Sequence, residues 1–113
     1  MQKVILLVED DKEISHLIKS HLESENFTII TAFDGEEALS HFQQDKFDLI
    51  LLDLMIPKLS GMELLKKFRE TSLVPVLIIS AKGSDIDKAL GLGFGADDYI
   101  SKPFSMIELT ARV

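Results

Sequence analysis

Five short aliphatic runs punctuate this chain, and between them apolar residues recur at helical spacing. The runs are Lys3–Val8, Thr28–Ala32, Leu49–Leu52, Val76–Ile79 and the shorter Tyr99–Ile100. Val4–Val8 and Leu49–Leu52 are apolar without interruption, the pattern of strands covered on both faces. Between the runs, Ile14, Leu17, Ile18 and Leu22 fall at i, i+3, i+4 and i+8. Shorter stripes follow at Ala38, Leu39 and Phe42, at Leu64, Leu65 and Phe68, and at Ile86, Ala89 and Leu90. Strand and helix therefore alternate. That alternation predicts an α/β fold of (βα)5 type, a doubly wound five-stranded parallel sheet with helices on both faces. Thr28–Ala32 carries Thr28 and Thr31 and belongs nearer an edge of that sheet.

Helix starts are marked by short polar residues. Asp34 precedes Glu37 by three positions, Ser60 precedes Glu63, and Ser105 precedes Glu108, each the spacing of a capping box or its Asp variant. Gly35 and Gly61 let the chain turn into the second and third helices. With 113 residues the chain makes one domain, 1–113, with no linker or repeat. The last helix begins near Ser105 and reaches Val113 without a stop signal, so the domain is expected to be truncated within that helix and to belong to a longer protein.

Composition removes several chemistries. There is no cysteine, which excludes disulfides, thiolate metal sites and cysteine nucleophiles. Twelve basic against 19 acidic residues give a net charge of −7, a surface that repels DNA phosphates and anionic lipid. The one dense basic group is Lys66, Lys67 and Arg69, so no direct nucleic-acid binding by this chain is expected. Glu9-Asp10-Asp11 stops the first apolar run at once, leaving no membrane segment or signal peptide, and a cytoplasmic location is expected.

In a doubly wound sheet, ligands bind beyond the carboxyl ends of the strands, at the switch point of strand order. Glu9, Asp10 and Asp11 follow the first strand, and Asp53 follows the third. In the flavodoxin-like order 2-1-3-4-5 these strands are neighbours, so the acids converge. Converging carboxylates repel unless a cation joins them, and an all-oxygen set suits Mg2+, which also accepts phosphate oxygens. Ser80 closes the fourth strand and Lys102 follows the fifth, so a hydroxyl and an ammonium face the same pocket. Acids, a hard cation, a hydroxyl and a lysine describe a phosphoryl site, in which an aspartate can itself be the acceptor. Taken singly, each residue has a bland reading: Glu-Asp-Asp as a solvated turn, Lys102 as a surface lysine, Ser80 as a strand-end hydroxyl. Their coincidence at strand carboxyl ends is the signal.

At this point the segments LLVEDD (Leu6–Asp11), DLILLDLMIPKLSG (Asp48–Gly61), LIISA (Leu77–Ala81) and GADDYISKPF (Gly95–Phe104) become recognisable. In that order and spacing they resemble a response-regulator receiver domain of two-component signalling. GADDYISKPFS is most similar to regulators that carry a C-terminal winged-helix DNA-binding domain. The resemblance implies a phosphorylation-activated switch that takes a phosphoryl group from a sensor histidine kinase onto Asp53 as an aspartyl phosphate. Glu9, Asp10, Asp53 and the backbone carbonyl of Met55 would hold Mg2+. Asp11 would cap a helix, Ser80 would be the switch hydroxyl, Tyr99 the switch aromatic that turns inward, and Lys102 the partner of a phosphoryl oxygen. The Lys102–Pro103 bond would be cis.

The resemblance also implies a symmetric homodimer, formed on phosphorylation through the face carrying Lys88, Asp97, Asp98, Glu108 and Arg112. In it Lys88 would pair with Glu108, and Asp98 with Arg112, between chains. The output would be transcriptional regulation through a DNA-binding domain absent from this chain. Such a domain modifies itself without turning over an independent substrate and is not an enzyme. Other readings stay open: a stand-alone receiver acting by protein binding, a flavodoxin-like carrier, or a haloacid-dehalogenase-like phosphatase. The last needs a second aspartate two residues after the nucleophile, where Met55 stands. Gly91, Gly93 and Gly95 make the end of the expected fourth helix glycine-rich, which predicts a readily remodelled element.

Overall fold

The computed structural model describes residues 3–56, 58, 60–80, 93, 95–102 and 105–113. The elements run β1 (Val4–Val8), α1 (Lys12–Ser24), β2 (Thr28–Ala32), α2 (Gly35–Gln44), β3 (Leu49–Leu52), α3 (Gly61–Thr71), β4 (Val76–Ser80), β5 (Asp98–Ser101) and α4 (Met106–Arg112). The strands form one parallel sheet in the order β2-β1-β3-β4-β5, as expected. β2 is an edge, in keeping with its threonines. The helix expected over Ile86–Leu90, with Lys88, lies outside the described residues, as do Gly91, Pro103 and hence the Lys102–Pro103 bond.

Alternate side chains of each strand leave opposite faces of the sheet, so each central strand feeds two cores. On one face Leu6, Val8, Ile50, Leu52, Val76, Ile78 and Tyr99 pack against Ala38 of α2 and Leu64, Leu65 and Phe68 of α3. The Phe42 and Phe68 rings meet there with centroids 4.4 Å apart. On the other face Ile5, Leu7, Leu51, Leu77, Ile79 and Ile100 pack against Ile18 and Leu22 of α1 and Leu109 of α4. This two-sided burial is the physical cause of the uninterrupted apolar runs. One residue of the helical stripe falls outside it: Leu17 is 60 % exposed. The helix meets the sheet along Ile14, Ile18 and Leu22, steps of four that leave Leu17 on the flank.

Three caps form as the spacing predicts: Asp34 accepts from the amide of Glu37, Ser60 from Glu63, and Ser105 from Glu108. Asp11, a cap by the resemblance, accepts from the amides of Glu13 and Ile14. In α2 the acid also reaches back, Glu37 Oε1 accepting from the Phe33 amide at 2.7 Å. Among the described residues, no helix is long and apolar enough to cross a membrane.

Candidate functional site

Backbone pairing continues past the strands and fixes the residues that follow them. The Glu9 amide donates to Ala32 O at 3.1 Å, Asp53 to Val8 O at 2.9 Å, and Lys102 to Ser80 O at 2.8 Å. Because Val8 pairs with Leu52, Glu9 and Asp53 emerge side by side. Carboxylate oxygens of Glu9, Asp10 and Asp53 all lie within 4.8 Å of one another. Glu9 and Asp53 are buried, whereas Asp10 is exposed at the rim.

Lys102 ties the cluster together. Its ammonium donates to Glu9 Oε1 and, at 3.0 Å, to Asp53 Oδ2. The second oxygens are held by the backbone: Asp11 N donates to Glu9 Oε2 at 3.2 Å, and Met55 N to Asp53 Oδ1 at 3.0 Å. Burial pushes the Glu9 carboxyl up to about 7, and the neighbouring Asp53 adds to the rise against the pull of Lys102. Burial works against the Lys102 charge too, yet its bonds to Glu9 and Asp53 outweigh it and hold the ammonium above its ordinary value. Lys102 is thus held in its charged form, while burial and Asp53 resist ionisation of Glu9, in a site short of positive charge. Two buried carboxylates and one at the rim, all oxygen donors, fit a hard divalent cation such as Mg2+.

A close backbone approach holds the loop after Asp53. A Cβ on Gly61 would stand 2.4 Å from Leu54 Cα and 2.8 Å from Asp53 O. The Gly61 amide donates to Leu54 O at 3.2 Å. Glycine is required there because the first turn of α3 presses directly on the Asp53 backbone, beyond any need for a turn. The same loop is braced at Lys58 (φ +72°), whose ammonium lies 3.5 Å from Asp34 and 3.9 Å from Glu36.

Ser80 is fully buried at the end of β4, and Tyr99 is buried on the α3 face of the sheet. Met55 exposes its side chain beside Asp53. Asp97, just before β5, and Asp98, its first residue, point to opposite sides of the sheet. Asp97 faces α3, accepting from Arg69 at 3.3 Å and from the Val76 amide at 2.9 Å. Asp98 faces α4, where Arg112 Nη1 donates to both its oxygens at 2.7 and 2.8 Å within the same chain. Arg112 returns to the level of Asp98 because seven helical residues span about 10 Å and the four strand residues about 13 Å. Glu108 is exposed one turn before Arg112. Arg69 itself was missed: it stood in the sequence as part of a basic surface triplet. Its spacing of four from buried Leu65 was the available signal.

A family profile described as the response regulator receiver domain matches residues 5–113. The chain is 65% identical over 108 residues to the uncharacterized transcriptional regulatory protein YcbL of Bacillus subtilis, covering 96% of this chain and 48% of that protein. It is 50% identical over 109 residues to the transcriptional regulatory protein CpxR of Escherichia coli, covering 96% and 47%. The chain thus spans about half the length of the curated relatives it matches. Among solved structures, the Francisella response regulator 1452 receiver domain superposes with a TM-score of 0.94 at 41% identity, covering 98% of this chain and 93% of that one.

Proposed function

The chain belongs to the response regulator receiver domain family, and from that premise we propose that it is a phosphorylation-activated signalling switch with Asp53 as its phosphoacceptor. The observation that carries this reading is the placement of Asp53: buried, held by Met55 N and Lys102, and facing the Glu9 and Asp10 carboxylates. A carboxylate so fixed is a positioned nucleophile, and phosphoryl transfer depends mostly on positioning and charge neutralisation. In the step, an Asp53 oxygen forms the O–P bond as the N–P bond of a kinase phosphohistidine breaks. The imidazole keeps the electron pair of that bond.

Glu9, Asp10, Asp53 and the Met55 carbonyl would hold Mg2+, which when bound supplies positive charge to the phosphoryl oxygens. Lys102, already protonated, bonds a phosphoryl oxygen in exchange for its contact with Asp53. The Ser80 hydroxyl, buried at the neighbouring strand end, provides a further donor to the new group. The phosphoryl charge then favours one of two packings around Ser80 and Tyr99, a population shift read at the α4 side of the molecule.

Several further assignments follow from the kinship. The donor is a sensor histidine kinase, and the site of action is the cytoplasm. The relatives are about twice as long and are named as transcriptional regulators, which supports an output through DNA binding elsewhere in the whole protein. A phosphorylation-dependent homodimer would use the face carrying Lys88, Asp97, Asp98, Glu108 and Arg112. The Asp98–Arg112 pair would then have to exchange its partner within the chain for one between chains.

The test is intact-mass spectrometry with Mg2+ and a small-molecule phosphodonor, against a metal-free control. A metal-dependent gain of one phosphoryl group, mapped to Asp53 and absent in folded Asp53→Asn, is expected. Equal labelling of the variant would overturn the assignment.

A further inference from the structure

We infer that Arg69 and Asp97 are positioning residues that set the register of β5 and thereby place the Lys102 ammonium between Glu9 and Asp53. The functional consequence rests on the role proposed for Lys102, but the geometry stands at the opposite end of the sheet. There the Arg69 guanidinium, mostly buried, gathers carbonyls from two segments. Nε and Nη2 donate to Gly95 O at 3.0 and 2.7 Å, and Nη1 donates to Val74 O at 2.7 Å. A longer contact of 3.5 Å reaches Ser72 O. Nη2 also meets Asp97 Oδ2 at 3.3 Å. Asp97 in turn holds Val76 at two points: its carboxylate accepts from Val76 N, and its own amide donates to Val76 O, both at 2.9 Å. The arginine stem lies over Gly95, which has φ +109° and where a Cβ would stand 3.0 Å from Nε.

β5 needs such a pin. It is the last strand of the order, four residues long, with a single ladder to β4. Register is normally fixed by which residues are apolar on each face. Here Tyr99 and Ile100 are both apolar and bury on opposite faces. A one-residue slip would still bury an apolar side chain on each side, so hydrophobic pattern discriminates poorly. The polar lock at Asp97–Val76 supplies the missing discrimination, and Arg69 orients and neutralises its carboxylate. The effect reaches Lys102, five residues on and about 16 Å away along an extended strand. A slip of one residue moves that side chain by about 3.3 Å and turns it to the other face, enough to remove both bonds to the acids.

The experiment reads Lys102 directly, without metal or phosphorylation, from the NMR signal and proton exchange of its side-chain ammonium. Folded Arg69→Gln is expected to lose the protected Lys102 signal. Its affinity for Mg2+ should rise roughly two- to fivefold, the scale of one lost charge contact, because the ammonium no longer occupies the acid oxygens. Val74→Ala thins the same corner but keeps every backbone acceptor; it should lower the melting temperature and leave both readouts alone. Asp97→Asn keeps an acceptor for Val76 N but loses the charge facing Arg69. It should shift both readouts partway, and it decides the matter if Arg69→Gln does not fold. Parental values of the Lys102 signal and Mg2+ affinity in folded Arg69→Gln or Asp97→Asn would overturn the inference. So would equal shifts in Val74→Ala. Phosphodonor labelling of the parent at Asp53 tests the phosphoacceptor reading separately, and its failure would leave the Lys102 result intact.

Discussion

Lys102 links the two buried acids of the site, one ammonium bonding both Glu9 and Asp53. Lys102→Ala removes that charge while leaving the carboxylate oxygens in place. The variant should retain Mg2+ binding and lose the phosphorylation-dependent change in its amide NMR spectrum. An unchanged response would contradict the role. Most of the candidate site was legible residue by residue. Glu9, Asp10, Asp53, Ser80 and Lys102 each follow or close an apolar run, and strand ends in this fold converge on one edge. For Arg69 the sequence offered only its spacing of four from Leu65; its partners are mostly backbone carbonyls, which leave no mark on composition. The roles of Asp97 and Asp98 were blurred for a related reason. Adjacent acids look alike in sequence, and only the pleat sends them to different helices.

At the scale of elements, the β3–α3 connection and helix α4 yield the sharpest expectations. Gly61→Ala drives a methyl into the Leu54 and Asp53 backbone, so the loop must move or α3 must tilt. A loss of about 1–3 kcal/mol is expected, as for other overpacked positions. Chemical denaturation measures that loss, and phosphorylation of the folded variant should slow with it. An unperturbed rate would show that the Asp53 backbone tolerates the shift. Helix α4 is clasped to β5 through Asp98 and Arg112. Burial raises the Asp98 carboxyl, but hydrogen bonds from Arg112 and from the Tyr99 amide bring it below its usual value of 3.8. A lowered folded value means stabilisation that is fully present above the ordinary carboxylate range and lost as pH falls through the folded value. The pair is largely exposed and screened by water, so its contribution is small. The melting temperature of Asp98→Asn should lie below the parent at pH 6, and the gap should close toward pH 3. A gap that persists at low pH would assign the difference to something other than the ion pair.

The whole molecule is two cores sharing one sheet, and the site sits at their common edge. Phe68 is fully buried and joins α3 to α2 through Phe42. Phe68→Ala should cost about 3–5 kcal/mol, measured by denaturant unfolding. Loss from one layer should also lower cooperativity in the other, because β1, β3 and β4 serve both. Unfolding in two separate transitions would show instead that the layers are independent. The alternation of apolar runs and helical stripes was enough to name this architecture, and the threonines of β2 marked an edge strand; the strand order came with the flavodoxin-like fold type. The stripe of α1 overstated its buried face by one residue, Leu17, since helical spacing specifies a stripe but not its width.

What the sequence determined alone is what short-range physics controls: strand and helix alternation, the caps at Asp34, Ser60 and Ser105, and the acids placed at strand ends. Each depends on residues within a few positions of one another, so each leaves a local pattern. Tertiary structure alone decided which distant groups the side chains and backbone meet. The pressing of Gly61 on Asp53, the Arg69 clasp on Gly95 and Asp97, and the closing of Arg112 on Asp98 all join distant segments. Their partners are largely main-chain atoms or a choice between like neighbours, which are the same at every position until the fold distinguishes them.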